Sequence, residues 1–342
     1  MVSNFYYGLH IDDWPVVLGT KSYEKTVNEA IRRYLPNATE LERRKIKKDI
    51  KGCYLKYKVS PTEYFLFDFR NKKPEQRKEY LADKFIYMTM AKVVGRKWHD
   101  EQLEDKYNFY KLTKKYFKRK AILVASSNDH EQFDDFALNA HDIILKPNSS
   151  ACGNGIHVAH VHTKEEANNV FNETIKSGGE WIVEEFIHQS EEMASWNSSS
   201  VNTIRISSFL NGRGFFVLCP FIRTGRKGAV VDNGGQGGLY AAIDPNTGVI
   251  LTNGKDELCN VYCEHPDSHI VYKGWQIPQW NDLLKLTEEV HRKKFPKHRY
   301  IGWDFAHTDK GWVLVEGNWG EFIAQQSTME RGYKKEFMKL IN

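Results

Sequence analysis

The segment Gly302-Trp303-Asp304-Phe305, followed after a short turn by Val313-Leu314-Val315-Glu316-Gly317-Asn318, decides how the chain is read. Residues 300–307 and 312–316 read as two strands joined by the turn Thr308-Asp309-Lys310-Gly311. Along the second strand Glu316 and Asn318 have the same parity and share a face. That strand is apolar on both faces until its end, so an acid and an amide there call for a reason. Asp304, on the partner strand, can face the same spot. Two carboxylates and an amide oxygen converging on one point suit a hard cation such as Mg2+, which takes oxygen ligands and shares its shell with phosphates. Any one of these residues alone would read as a polar group in solvent; three in register beside apolar strands read as metal ligands.

Upstream, residues 121–125 read as a buried strand and 142–146 as a second apolar run that ends in Lys146-Pro147. A loop with Ser149, Ser150, Ala151, Gly153 and Gly155 follows. A lysine closing a strand, then small residues that let backbone N–H groups approach, is a phosphate cradle in composition. It is not a P-loop, because no Gly-x-x-x-x-Gly-Lys-Ser/Thr occurs in the chain. Next come a strand at 156–161, a helix at 164–176 and strands at 181–187, 201–210 and 214–223. In the strand at 201–210, Thr203 and Arg205 share a face, and a fixed guanidinium there suits phosphate or carboxylate. Arg223, Arg226 and Lys227 lead into a glycine-rich loop, 225–238, with Asp232 and Asn233 at its centre. Such a loop can fold over a charged substrate and shed water. Residues 239–243 and 249–252 read as a hairpin, and 280–294 as a helix. Strands and helices interspersed with hairpins predict an α+β fold rather than a doubly wound sheet. The first quarter reads as helical: two helices within 23–58, a start at Ser60-Pro61-Thr62-Glu63, and one helix over 73–96.

The Asp strand, glycine turn and Glu-x-Asn end resemble the metal-binding end of the ATP-grasp family, over roughly residues 105–318. The resemblance implies two α+β subdomains enclosing a nucleotide cleft, with ATP and Mg2+ bound there. It divides the chain into a helical region at 1–98, a first subdomain at 99–187 and a second at 188–342. Lys146 and the loop with Ser150, Gly153 and Gly155 match the family's strand and flexible glycine loop. Asp105-Lys106 is similar to its earlier Asp-Lys pair, whose lysine reaches the phosphates. Glu184-Glu185-Phe186-Ile187 looks like the hinge that pairs with adenine, with Glu184 or Glu185 accepting from the adenine amino group. Glu191 falls where relatives place a ribose-binding carboxylate, with Glu192 and Gln189 as rivals. The wording Ser200-Val201-Asn202-Thr203-Ile204-Arg205, then Asp232-Asn233, then Gly302-Trp303-Asp304, is similar to the sugar-transfer-associated ATP-grasp group of polysaccharide biosynthesis. That implies an ATP-dependent carboxylate–amine ligase working through an acyl phosphate, on small carboxylate and amine substrates such as a sugar acid, amino sugar or amino acid. A kinase using the same cleft, or a non-catalytic nucleotide-binding partner, stays open as an alternative. One departure stands out: where D-alanine ligase-like members carry an arginine, this chain has Gly302, so Arg205 or Arg223 would have to stabilise an oxyanion.

Composition sets the outer bounds. The 342 residues are 41% hydrophobic, 27% charged and 13% aromatic, with a net charge of +5. These are the proportions of a globular protein whose rings fill a core or line a cleft. The longest aliphatic run, 121–125, is far short of the roughly 20 residues of a membrane span, and residues 1–14 do not read as a signal peptide. Five cysteines do not make a disulfide framework, so a cytoplasmic setting is expected. Basic runs at 32–58 and 106–120 read as solvated helix faces, and no nucleic-acid signature accompanies them. Cys259, Cys263 and His265 lack a second ligand pair, which argues against zinc. Oligomeric state is not encoded in any pattern here.

Overall fold

The computed structural model describes residues 18–93, 101–149, 155–318 and 322–342. Ser150 and Gly153, the first residues of the chain and the end of the helix expected at 73–96 lie outside the described residues. Helices α1 (Lys21–Tyr34) and α2 (Glu40–Tyr57) start at Thr20 and Thr39, whose hydroxyls accept the first free backbone N–H groups. In α3 (Pro61–Leu66) the Ser60–Glu63 pair closes a capping box, with proline at the first turn. Tyr23, Tyr64, Phe67 and Phe69 from this region build an aromatic core of their own.

The single helix expected over 73–96 is instead two, α4 (Pro74–Arg77) and α5 (Asp83–Val93). The break has a tertiary cause. The Glu79 carbonyl accepts from Lys334 N at 2.9 Å. The Gln326 carboxamide accepts from Leu81 N at 2.7 Å and donates to Leu81 O at 2.8 Å. Backbone groups that would have continued the helix are thus bonded to the end of the chain. Two further helices, α6 (Glu101–Glu104) and α7 (Lys106–Phe117), lead into the sheets.

The smaller antiparallel sheet holds β1 (Ala121–Val124), β2 (Asp142–Pro147), β3 (His157–His160) and β4 (Trp181–Glu185) in the order β1-β4-β2-β3. Ile143, Leu145 and Val183 pack beneath α8 (His130–Ala140) and α9 (Lys164–Ser177). Alternation therefore turns Lys146, Ile182 and Glu184 to the opposite face, away from those helices.

The larger sheet is seven-stranded, in the order β11-β10-β5-β6-β7-β8-β9. Its strands are β5 (Thr203–Asn211), β6 (Gly214–Thr224), β7 (Leu239–Ala242), β8 (Gly254–Lys255), β9 (Val261–Tyr262), β10 (Tyr300–Thr308) and β11 (Gly311–Asn318). The short helix α10 (Glu191–Ala194) links the two sheets in sequence. The hairpin expected at 239–252 keeps its turn, but the return limb pairs only through the bridge Ile243–Ile250. One face of the sheet packs against α11 (Trp280–Lys294), where Leu283 and Val290 meet Ile204, Trp303 and Phe305. On the other face lie α12 (Ile323–Met329) and α13 (Lys334–Ile341). Among the described residues no helix is long and apolar enough to cross a membrane.

Trp303 is fully buried, and its indole N–H donates to Ser208 Oγ at 2.7 Å. Ser208 Oγ also lies 2.7 Å from His291 Nδ1, and burial pushes the His291 imidazole down to about 4, so it stays neutral. Trp303→Ala removes both the ring and the donor. It should lower stability by about 3–5 kcal/mol in urea unfolding at neutral pH.

Candidate functional site

Three neighbouring strands put their polar residues in one row. Asp304 on β10 is directly opposite Glu316 on β11 and, on its other side, Arg205 on β5. Opposed residues in an antiparallel pair point to the same face, so all three side chains meet. A bulge in β11 at Val315, just before Glu316, shifts the register beyond this row, so that Phe305 stands opposite Leu314. Asn318 Nδ2 donates to Glu316 Oε1 at 2.8 Å and to Asp304 Oδ2 at 3.3 Å. The hairpin residues singled out from the sequence are therefore within bonding distance of one another.

Asp304 is 1% exposed and held by two guanidiniums. Arg205 grips it with Nε at 2.5 Å and Nη2 at 2.9 Å, and Arg223 reaches the Oδ1 atom at 2.7 Å. Burial alone would raise the carboxyl, but Arg205 and Arg223 overcome it and hold Asp304 well below the usual carboxylate range. Asp232 completes the cluster. Its Oδ2 accepts from Thr203 N at 2.9 Å and Thr203 Oγ1 at 2.5 Å, and stands 3.7 Å from Arg223 Nε. Desolvation outweighs Arg223 and Thr203 here, so Asp232 is pushed up. Two acids that approach the same Arg223 guanidinium are thus driven in opposite directions, as in sites that move protons.

A second buried ion cluster lies on the small sheet. Glu184 Oε1 accepts from Lys146 Nζ at 2.8 Å, and Oε2 accepts from Arg119 Nε at 2.8 Å and Nη2 at 2.5 Å. Burial would raise Glu184, yet Arg119 and Lys146 bring it down to about 2. Both oxygens of Glu184 are taken, and the neighbouring Glu185 carboxylate accepts from Lys120 N at 2.7 Å. Phe186 and Ile187 are partly exposed beyond it. Arg119 was hidden in the sequence within a basic run. Its telling feature is position, directly after the left-handed Lys118 that ends α7 and two residues before a buried strand. It also donates through Nη1 to Leu314 O on β11 at 2.7 Å, which ties the two sheets together.

Lys106, at the start of α7, connects the two clusters. It is partly buried, and its ammonium is lowered by that burial, against the pull of Glu316 and with the push of Lys146. Two contacts hold it there. Asn148, just past Lys146-Pro147, accepts from Lys106 N through its carbonyl at 3.2 Å and from Tyr107 N through Oδ1 at 2.9 Å. On β11, Gly317 lets Phe109 of α7 come so close that a Cβ would lie 2.8 Å from the ring. Gly155 has φ +77°, and a Cβ there would sit 3.0 Å from Pro147 Cγ. The last residue of the small-residue loop thus folds back on the strand that carries Lys146.

The loop at 225–238 is anchored at its root. Arg226 Nε donates to Asp267 Oδ2 at 2.8 Å, and His265 Nε2 lies 2.9 Å from Gly225 O. Those contacts turn Arg226 away from the Asp304 cluster, leaving Arg223 as the basic residue of this segment that enters it. Asn233 Oδ1 accepts from Gly235 N at 3.1 Å and shapes the loop tip. Both ring nitrogens of His265 are engaged within the protein, and Cys259 Sγ faces the Phe65 carbonyl at 3.7 Å. Among the described residues no group of three or more His, Cys, Asp or Glu is arranged to hold a metal. Glu191, exposed, opens α10 beside the end of β10, where Ser190 N donates to His307 O at 2.8 Å.

Asp304, Glu316 and Asn318 offer only oxygen once the Asn318 amide makes a half-turn, which exchanges its N–H for its carbonyl at the same spot. The amide already sits between both carboxylates. The set fits Mg2+ provided that Asp304, whose two oxygens are held by Arg205 and Arg223, shares them with the cation.

The sugar-transfer associated ATP-grasp family matches residues 87–336, and the chain belongs to that family. No curated protein matches it. Among solved structures, D-alanyl-alanine synthetase A from Vibrio cholerae is similar at 10% identity and a TM-score of 0.45, over 70% of this chain and 64% of that one. The D-alanine–D-alanine ligase of Bacillus anthracis gives 14% and 0.40, over 70% and 66%. The ATP-grasp ligase PsnB with its minimal precursor gives 9% and 0.43, over 73% and 62%. The chain thus spans just under two thirds of these proteins' lengths.

Two outcomes follow from the geometry. Glu184 is lowered from 4.5 to about 2 on folding, so the unfolded chain takes up its proton first as pH falls. Its contribution to stability is full above the ordinary value of 4.5 and is lost between there and about 2. Urea midpoints of the wild type should therefore fall more steeply than those of Glu184→Gln between about pH 5 and about pH 3. Separately, Gly317→Ala should cost about 1–3 kcal/mol in the same assay, because Phe109 is wedged against Phe295 and cannot yield.

Proposed function

We propose that the chain is an ATP-dependent carboxylate–amine ligase whose cleft lies between the two sheets. The observation that carries this reading is the row Glu316–Asp304–Arg205, closed on one side by Asn318 and approached by Lys106 from α7. It supplies oxygen donors, a bidentate guanidinium and an ammonium within a few side chains of one another. In this reading residues 99–187 hold the nucleotide through Lys146, Lys106, the loop with Ser150, Gly153 and Gly155, and the strand end at Glu185, Phe186 and Ile187. Residues 188–342 supply the acceptor side. Asp304, Glu316 and Asn318 would hold Mg2+, whose charge would offset that of the phosphates.

The chemistry is then a matter of positioning. A substrate carboxylate oxygen attacks the γ-phosphorus of ATP, the bond to the β-phosphate oxygen breaks, and ADP leaves with an acyl phosphate formed. An amine nitrogen attacks the acyl carbon, the C–O bond breaks, and inorganic phosphate leaves as the amide forms. Arg205 and Arg223 face the developing negative charge, in the role that Gly302 cannot fill. Asp232, with its raised carboxyl and Oδ2 fixed by Thr203, takes the proton that the amine gives up. A sugar acid, amino sugar or amino acid destined for a surface polysaccharide suits the family description. The free thiols of Cys53 and Cys219 suit a reducing cytoplasm.

The test is phosphate release from ATP with a panel of carboxylates and amines. A ligase releases phosphate only when both are present and yields an amide by mass spectrometry; transfer to a hydroxyl alone would make the protein a kinase. Arg205→Ala should lower kcat/KM by about 10²–10³-fold. Asp304→Asn and Glu316→Gln should remove the Mg2+ dependence of ATP binding in calorimetry, and tight binding without the metal in the wild type would refute the assignment of the hairpin.

A further inference from the structure

Helix α2 carries a surface that the nucleotide cleft does not use. At 100° per residue, Leu41, Arg44, Lys45, Lys48, Lys51 and Leu55 fall within an arc of about 120° that contains no acid. All six are exposed, Leu41 at 64% and Leu55 at 52%. The opposite side of the helix, through Ile50 and Cys53, is buried in the aromatic core of the N-terminal region. The arc is therefore fixed facing outward by packing.

The acids of α2 are turned to other work. Asp49 binds Arg77 through both oxygens, at 2.8 and 2.9 Å, and accepts from Tyr64 at 2.7 Å. Glu42 accepts from Thr39 N at 2.7 Å in the capping box. Glu40 pairs with Arg44 at 3.2 Å at the exposed first turn, where such pairs contribute little. The arc stays positive.

Independently of the ligase reading, we infer that this arc of α2 seats the protein on a membrane surface rich in anionic lipid. The helix of 18 residues is roughly 27 Å long, and its two exposed leucines stand roughly 21 Å apart with the lysines between them. Laid flat, the leucines enter the headgroup–acyl boundary while the lysine stems snorkel and their ammoniums meet lipid phosphates. Charge alone would serve equally for a nucleic acid, but the leucines would find no partner on a phosphate backbone. The arc also offers no aromatic ring on which a base could stack.

The experiment is co-sedimentation of the full chain with vesicles of phosphatidylglycerol and phosphatidylcholine, against vesicles of phosphatidylcholine alone. Binding is expected only to the anionic vesicles and should weaken with salt. A Lys45→Gln/Lys48→Gln/Lys51→Gln variant should bind on the order of a hundredfold more weakly. A Leu41→Ser/Leu55→Ser variant, its charge unchanged, should bind about tenfold more weakly. Circular dichroism checks that both variants stay folded; the altered side chains point to solvent. Failure of the wild type to sediment with anionic vesicles would overturn the inference. So would a leucine variant that binds as the wild type does, and a duplex DNA probe held as tightly as the vesicles would then mark the arc as a polyanion surface.

Discussion

A carboxylate that is 1% exposed must be neutralised, and Asp304 meets that demand with two guanidiniums from adjacent strands. This requirement organises much of the large sheet. Arg205 stands opposite Asp304 because β5 and β10 pair in that register, and Arg223 comes from β6, one row further along. A slip of one residue between β5 and β10 would send Arg205 into the apolar core beside Trp303 and leave Asp304 bare. The charge thus specifies register as strongly as the hydrophobic alternation does. Asp232 is held by Thr203, the residue directly opposite Arg223. The cluster has three acids' worth of candidates for protons or cations, counting Glu316, against two fixed arginines and the approaching Lys106.

The same demand, met on the small sheet, joins the two halves. Glu184 needs two cations, and one of them, Arg119, spends its Nη1 group on main-chain carbonyls at Phe117 and Leu314. A side chain that neutralises an acid on β4 is therefore also bonded to the strand that ends in Glu316 and Asn318. Gly317 adds a steric counterpart by admitting the ring of Phe109, and with it α7 and Lys106. Residues on three separate elements are brought together by one guanidinium and one missing methyl group.

The sequence made the hairpin readable because alternation and parity are local properties: Asp304, Glu316 and Asn318 could be placed on one face without knowing any neighbour. The limits of most strands came within a residue or two for the same reason, and 280–294 matches α11, whereas 249–252 forms only a bridge and the two-residue β8 and β9 left no sequence signal. What could not be read was whatever depends on distant chain. Arg119 is one basic residue in a basic run, and only its contact with β11 distinguishes it. Glu184 looked like an open strand-end acid, whereas its oxygens are both committed. The helix expected over 73–96 obeys its own propensities, yet residues 79–81 answer to Gln326 and Lys334. Arg226 looked like a cleft residue until Asp267, some forty positions later, claimed it. Helix α8 leaves little trace in the sequence because its apolar stripe, chiefly Phe133 and Ala137, is narrow.

The bonds from Gln326 to both backbone groups of Leu81 bear on how the protein is made. Leu81 leaves the ribosome long before residue 326, which supplies the partner of its backbone N–H and C=O. A segment made early is therefore finished late. Until then its backbone at 79–81 depends on water or on local helix for its hydrogen bonds, and a nascent chain arrested before residue 326 carries every strand of both sheets with its N-terminal region still unclosed.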